Sequence, residues 1–167
     1  MLALILALSL LLSPVLQPGN PPWEEPTELP ARGRVTYYAD GLMEWVYELR
    51  LRQNQVPVCD PPACIGYVAM MRAGDLGRKV WLQRPGELAE GPFLVVDYAA
   101  EPNFANLWAR GAVAEVDYRT AQRWDMQGPL SEVMIWDVSP NLLPVYLPLI
   151  YTDSRIPSLS TLLPGGP

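Results

Sequence analysis

Short apolar runs, separated by glycine and proline, constrain the fold of this chain more than any other feature. The 167 residues include 19 prolines and 12 glycines, and half of the residues are apolar. Residues with strand propensity recur in runs of about four to seven, which is strand length rather than helix length. These runs lie at 34–38, 65–70, 79–84, 93–96, 112–116 and 132–138. Six short strands joined by turns favour a small β-barrel, because closure removes exposed sheet edges.

Other segments between these strands have helical spacing. Apolar residues from Leu42 onwards repeat at three- to four-residue intervals, which predicts a helix that ends near Gln53, with Asp40 as its N-cap. A short helix is predicted from Tyr118 to Asp125, and a further helical turn at 103–108. The predicted fold class is therefore mainly β with short helices, in one domain at residues 33–138.

The first 17 residues have the composition of a secretory signal peptide. Leu2 to Leu12 is apolar apart from Ser9, and about eleven residues are too few to span a ~30 Å hydrocarbon core. The run lacks the positively charged segment that usually precedes such a sequence. We predict export, and hence a secreted or extracytoplasmic location. The alternative is a buried or membrane-associated helix.

Proline-rich segments flank the predicted domain on both sides. Residues 18–32 hold five prolines and three glutamates, which predicts an extended, semi-rigid linker. Residues 139–167 are apolar but contain six prolines, so a regular helix is excluded around Pro144 and Pro148. This C-terminal extension is expected either to pack on the barrel as an extended segment or to contact a protein or envelope partner.

Two cysteines, Cys59 and Cys64, flank a short proline-containing loop. In an exported protein such a pair predicts a disulfide, which should stabilise the fold by about 2 kcal/mol on the loop-entropy model. Two thiols cannot complete a tetrahedral zinc site by themselves, and the chain contains no histidine. The sequence therefore predicts neither a metal site nor a cofactor.

The charge composition excludes several function classes. The formal net charge is −6 and the arginines are scattered, so the sequence argues against a nucleic-acid partner. The lack of histidine removes the commonest general base and the histidine-based triads. Any acid–base chemistry must rest on Asp, Glu, Tyr or the single Lys79.

One short phrase occurs twice, as Val-Val-Asp-Tyr at 95–98 and Glu-Val-Asp-Tyr at 115–118. Each reads as an apolar strand that ends in aspartate and tyrosine, as expected of a barrel built from two similar halves. Cleavage of a glycosidic bond usually needs two carboxylates, so Asp97 is a candidate acid/base and Asp117 a weaker candidate. The structural alternatives are a turn or hydrogen-bonding residue for Asp97 and a helix N-cap for Asp117.

Aromatic residues near these phrases are candidate sugar-binding groups. The tyrosines that could stack on sugar faces are Tyr37, Tyr38, Tyr98 and Tyr118. Taken one at a time, each of these tyrosines is better explained by packing. The tryptophans that we expect in the core are Trp45, Trp81, Trp108, Trp124 and Trp136. Glu44 and Glu48 are further candidate carboxylates.

Several segments follow one another in an order that resembles a known family. Gly33–Tyr38 resembles a G-x-A-T-Y-Y opening, and Ala73–Leu82 resembles an L-P-L-G-T-x-V-x-V segment. Leu94–Asp97 stands where that family has V-x-V-x-D-R-G-P, and Val116–Trp124 resembles I-D-L-S-x-A-A-x-x-L. Gly128 and 132–136 resemble its closing G-x-V-x-V. The family is the double-psi β-barrel domain of rare lipoprotein A, expansins and related cell-wall proteins.

This resemblance implies a six-stranded double-psi β-barrel whose partner is cell-wall polysaccharide or peptidoglycan. Arg-Gly-Pro does not follow Asp97, however, and a helix at 42–53 replaces the segment that carries an acidic residue in lytic members. We therefore expect an expansin-like, non-hydrolytic glycan- or wall-binding barrel. The alternatives are a lytic transglycosylase-like enzyme that uses Asp97, and a structural or interaction domain whose site has decayed.

Overall fold

The computed structural model describes residues 23–142, which form one closed barrel of six strands. The strands are β1 (Ala31–Tyr37), β2 (Gly66–Met70), β3 (Lys79–Gln83), β4 (Glu90–Tyr98), β5 (Ala112–Val116) and β6 (Leu130–Trp136). The helices are α1 (Leu42–Arg52), α2 (Glu101–Ala109) and α3 (Tyr118–Arg123). The predicted fold class is confirmed. The predicted signal peptide at residues 1–17, residues 18–22 of the predicted linker and residues 143–167 of the predicted C-terminal extension lie outside the described residues.

The strand order around the barrel is β1-β5-β2-β4-β3-β6. β1 pairs with β5 and β2 pairs with β4 in parallel, and the other four pairings are antiparallel. If β1, β2 and β3 are exchanged for β4, β5 and β6 respectively, each strand pairing is replaced by another pairing of the barrel with the same relative direction. The barrel therefore has a pseudo-two-fold topology, as expected of a double-psi arrangement.

The repeated Val-Asp-Tyr phrase does not follow this symmetry. The two phrases lie at the ends of β4 and β5, whereas the pseudo-two-fold relates β4 to β1 and β5 to β2. Asp97 on β4 is in register with Ala69 on β2, and Thr36 on β1 is in register with Glu115 on β5. Ala69 and Glu115 are paired with each other, so the pseudo-two-fold exchanges them. Thr36 is therefore the counterpart of Asp97. The interpretation of the repeat as a mark of the two halves is wrong.

Apolar side chains form two packed clusters. The first fills the barrel and includes Phe93 and Val95 on β4. The second lies between α1 and the outer surface of the barrel, and it includes Leu94 and Val96 together with both cysteines. The four consecutive residues of β4 are thus buried alternately inside and outside the barrel wall, as its continuous apolar run predicted.

Helix α1 begins at Leu42, as predicted, but its cap and its buried face differ from the prediction. Gly41 is the N-cap residue, with φ at 73°, and no side chain in the described part of the chain makes a capping hydrogen bond there. Met43, Val46 and Tyr47 face the barrel, whereas Trp45 is 55% exposed. The sequence of α1 is apolar on several sides, so periodicity alone placed the buried face one residue away from its true position.

Residues 23–30, which the sequence predicts to be spacer, dock onto the barrel. The fully buried carboxylate of Asp75 accepts hydrogen bonds from the Thr27 amide at 2.9 Å and from the Thr27 hydroxyl at 2.5 Å. Arg78 pairs with the same carboxylate at 2.5 Å and donates to the Thr27 carbonyl at 3.0 Å. β1 then begins at Ala31, two residues before the predicted domain boundary. This part of the linker prediction is corrected.

Cys59 and Cys64 form the predicted disulfide, with their Cα atoms 5.5 Å apart. Both residues are buried in the cluster beneath α1, and the Cys59 amide donates to the Tyr47 hydroxyl at 3.1 Å. The bridge therefore fixes the loop between α1 and β2 against the helix. Disulfides are typical of oxidising compartments. None of the helices within residues 23–142 has the length and apolar character needed to cross a membrane.

We expect Asp75→Ala to lower the free energy of unfolding by about 3 kcal/mol, because it leaves the donors of Thr27 and Arg78 without their acceptor. Urea denaturation of the full chain measures this change. Asp40→Ala is the matched control. Asp40 is exposed and caps no helix, so its replacement should change the free energy by less than about 0.5 kcal/mol. Equal destabilisation by both variants would contradict the docking role of Asp75.

Candidate functional site

Asp97, the principal candidate from the sequence, lies near the end of β4 and is held by two other parts of the chain. Arg50 on α1 donates from Nη2 to Oδ1 at 2.9 Å, and the Tyr38 hydroxyl donates to Oδ2 at 2.9 Å. The side chains of Asp97 and Arg50 are 18% and 19% exposed. Both carboxylate oxygens are thus engaged in a partly buried ion pair that joins α1 to the barrel.

Arg50 connects this ion pair to the aromatic residues around it. Its guanidinium lies 5.0 Å from the ring centroid of Tyr98, and its Nη1 donates to Gln55 at 2.8 Å. Burial, followed by the charge of Asp97 and the hydrogen bond to it, raises the pKa of Tyr38 well above the ordinary tyrosine value. Tyr38 therefore stays protonated and keeps donating. Asp97 acts here as an acceptor, and its acid/base role remains a prediction.

Asp117 is the N-cap of α3, which confirms the structural alternative weighed for this residue. Its Oδ1 accepts from the Thr120 amide at 2.7 Å, and its Oδ2 accepts from the Tyr67 amide at 2.8 Å and the Thr120 hydroxyl at 3.1 Å. A Cβ at Gly66 would lie 2.5 Å from Oδ2, so the close approach of β2 to this carboxylate requires glycine. The catalytic assignment of Asp117 remains a prediction.

The two aspartates lie on opposite sides of β2. Asp97 neighbours Ala69 through β4, whereas the Asp117 amide donates to the Tyr67 carbonyl from the β5 side. Within residues 23–142 the two carboxylates share no hydrogen-bond partner. The fold therefore assigns them to separate local environments.

Glu44 lines a small cleft, of about 160 Å³, together with Asp117, Tyr67 and Arg119. One oxygen of Glu44 lies 3.5 Å from the Arg119 Nε, and the other is buried without a hydrogen-bond partner in the described residues. Burial, with the nearby charges of Tyr47 and Asp60, raises the pKa of Tyr67 to about 12. Glu48 lies elsewhere on α1, with its side chain 66% exposed.

The four candidate tyrosines separate into two pairs. Tyr38 and Tyr98 belong to the Asp97 environment described above. Tyr37 and Tyr118 approach each other with ring centroids 6.3 Å apart and planes inclined by 51°. They line an open cleft of about 350 Å³ beside α3, which we call the tyrosine cleft. Tyr37 is 37% exposed there, so its ring is accessible from solvent.

The tyrosine cleft also contains polar residues that the sequence analysis did not single out. These residues are Gln122, Asp125 and Gln127. The Gln127 amide donates to Asp125 at 3.1 Å, which fixes both side chains along the cleft. Asp125 has φ at 50°, a conformation that aspartate tolerates better than most residues. In the sequence these residues look like an ordinary helix end and turn, and no pattern distinguishes them as binding groups.

We expect Asp97→Asn to lower the free energy of unfolding by about 1–3 kcal/mol, because it leaves the partly buried Arg50 without its ionic partner. Urea denaturation measures the loss. Glu48→Gln is the control, since Glu48 and Arg52 are exposed and 4.0 Å apart, and it should cost less than about 0.5 kcal/mol. An Asp97→Asn protein as stable as the wild type would show that the ion pair contributes no net stability.

Stability should fall as the pH rises from about 10 to 12. An unfolded tyrosine ionises near pH 10, whereas folded Tyr67 keeps its proton to about pH 12 and Tyr38 keeps its proton well above the ordinary value. The unfolded state therefore loses protons first, and alkaline pH favours it. Urea denaturation at a series of pH values measures the slope. Tyr67→Phe should flatten it, and an unchanged slope in this variant would contradict the assignment.

Within residues 23–142, no group of three or more His, Cys, Asp or Glu side chains is arranged to hold a metal ion. Comparisons of the chain with protein-family models, with curated proteins and with solved structures found no match. The resemblance to rare lipoprotein A and the expansins therefore depends on the order of its motifs, together with the barrel fold class.

Proposed function

We propose that this protein is an exported, non-hydrolytic glycan-binding module of the cell envelope, comparable in role to an expansin barrel. The observation that carries the proposal is the tyrosine cleft. Two of the tyrosines selected as sugar-binding candidates meet there, with 6.3 Å between their ring centroids. The cleft is open to solvent, as binding to a polymer requires.

The composition of the tyrosine cleft suits a carbohydrate. A sugar ring has apolar C–H faces and a rim of hydroxyl groups, so it needs both aromatic surface and hydrogen-bonding groups. Tyr37 and Tyr118 supply the aromatic surface. The amides of Gln122 and Gln127 and the carboxylate of Asp125 offer donors and acceptors for hydroxyl groups. The volume of about 350 Å³ falls within the usual range for ligand sites.

The candidate carboxylates already form ion pairs or hydrogen bonds within the protein, which supports a binding role over a hydrolytic one. Hydrolysis of a glycosidic bond usually uses two carboxyl groups on either side of the bond. Asp125 is the one carboxylate among the described residues of the tyrosine cleft, and it already accepts a hydrogen bond from Gln127. Asp97 is paired with Arg50, and Asp117 caps α3. The lytic alternative that uses Asp97 therefore needs its ion pair to open.

Two features of the chain favour an exported location for this activity. The N-terminal apolar run has the length of a signal-peptide core, and the domain contains the disulfide between Cys59 and Cys64. The glycans that an exported protein meets outside the membrane are cell-wall polysaccharide and peptidoglycan, and we propose one of these as its ligand. The C-terminal extension is a further candidate contact with a protein or the envelope.

We expect the full-length protein to co-sediment with insoluble peptidoglycan or cellulose. Tyr37→Ala and Tyr118→Ala should each weaken binding by on the order of tenfold, which corresponds to ~1.4 kcal/mol for the loss of one stacked ring. Trp45→Ala is the matched control, because Trp45 is an exposed aromatic residue on α1 outside the cleft. Its binding should equal that of the wild type.

The supernatants of the same assay separate the alternatives. Soluble glycan fragments that appear with the wild type and disappear with Asp97→Asn would support the lytic enzyme instead. Fragments that persist with Asp97→Asn would exclude Asp97 from such a reaction. Binding to neither polymer would refute the glycan-binding proposal and favour a structural or interaction domain.

A further inference from the structure

A second cleft, of about 710 Å³, lies between the docked residues 23–30, the end of β2 and helix α2. We call it the N-terminal cleft. The lining residues that matter here are Glu25, Glu28, Met71, Arg72, Trp108 and Val113. It adjoins the first residues of the parallel strands β1 and β5, whereas the tyrosine cleft adjoins their last residues. The two clefts are therefore separate sites at opposite ends of the same strand pair.

Arg72 is the distinctive group in the N-terminal cleft. Its guanidinium carbon lies 5.4 Å from the ring centroid of Trp108, and its Nε is buried without a hydrogen-bond partner in residues 23–142. Glu25 and Glu28 line the same cleft, yet neither forms a salt bridge with Arg72. A buried donor without an acceptor is destabilising. A ligand that supplies acceptors to this guanidinium would offset that cost.

The ring of Trp108 lies within cation–π range of the Arg72 guanidinium. A guanidinium presents its N–H groups in its own plane. Two parallel N–H groups in that plane match the two oxygens of a carboxylate. Phe104 stacks on Trp108 at 5.7 Å along α2, so the ring is already held in position before any ligand binds. The arrangement therefore suits a planar anion.

The remaining lining selects among planar anions. Glu25 and Glu28 are exposed at the cleft and carry negative charge, so they repel dianions and attract an ammonium group. Met71 and Val113 supply apolar surface for small side chains. We propose that the N-terminal cleft binds the end of a short zwitterionic peptide, with its free carboxylate on Arg72 and an ammonium group near Glu25 and Glu28. The proposal does not depend on glycan binding at the tyrosine cleft.

Isothermal titration calorimetry of the full-length protein with lysyl-alanyl-alanine tests this proposal. The free tripeptide should bind at least tenfold more tightly than the same tripeptide with an amidated C-terminus, and more tightly than inorganic phosphate. Arg72→Gln should weaken binding of the free tripeptide at least tenfold. Trp108→Ala should weaken it several-fold. Trp108 is 50% exposed on α2, so this variant tests the site even if Arg72→Gln fails to fold.

Two exposed residues of α1 provide the matched controls. Arg52→Gln and Trp45→Ala remove an arginine and a tryptophan that do not line the N-terminal cleft, and both variants should bind the tripeptide like the wild type. The proposal is overturned if the free tripeptide does not bind, or if it binds no better than its amide or phosphate. Unchanged binding by both Arg72→Gln and Trp108→Ala would also overturn it. Tyr37→Ala should leave tripeptide binding intact, which separates this result from the glycan assay.

Discussion

In two places of the barrel, two strands that are consecutive in the chain are separated by a third strand, and this constraint governs the whole architecture. β5 lies between β1 and β2, and β2 lies between β4 and β5, so neither connection can be a tight hairpin. The chain must leave the barrel after β1 and after β4, and it forms α1 and α2 in these two excursions. α1 brings Arg50 to Asp97 and Tyr98, and α2 brings Trp108 to Arg72. Both cation–aromatic pairs around the candidate sites therefore follow from the same topological constraint.

Features encoded within a few residues could be predicted from the sequence. The bounds of β5 were predicted correctly, because Gly111 and Asp117 delimit a short apolar run. The disulfide and the Asp117 cap follow from equally local patterns. The Arg50–Asp97 pair joins residues 47 positions apart, and the Thr27–Asp75 contact joins residues 48 apart. No local pattern specifies such partners, since they are set by how the strands associate.

The two Val-Asp-Tyr phrases show why similar sequence need not mean similar chemistry. After β5 the chain turns at once into α3, so Asp117 faces free amide groups and caps the helix. After β4 the next helix begins only at Glu101, and Asp97 meets a guanidinium from α1 instead. Tyr118 consequently lines an open cleft with Tyr37, whereas Tyr98 packs under Arg50 and against Trp23. The surrounding strand order, rather than the phrase, assigns each role.

The docking of residues 23–30 has a mechanical consequence. A pull on the chain from the N-terminal side of Trp23 is borne first by the contacts of residues 23–30, and only afterwards by the backbone ladder of β1. Among these contacts, the Trp23 carbonyl accepts from the Ala73 amide, and Thr27 contacts Asp75 and Arg78. A few isolated contacts of this kind open more readily than a paired strand inside a closed barrel. The docked segment is also one wall of the N-terminal cleft. Tension would therefore dismantle that cleft while the barrel and the tyrosine cleft remain folded.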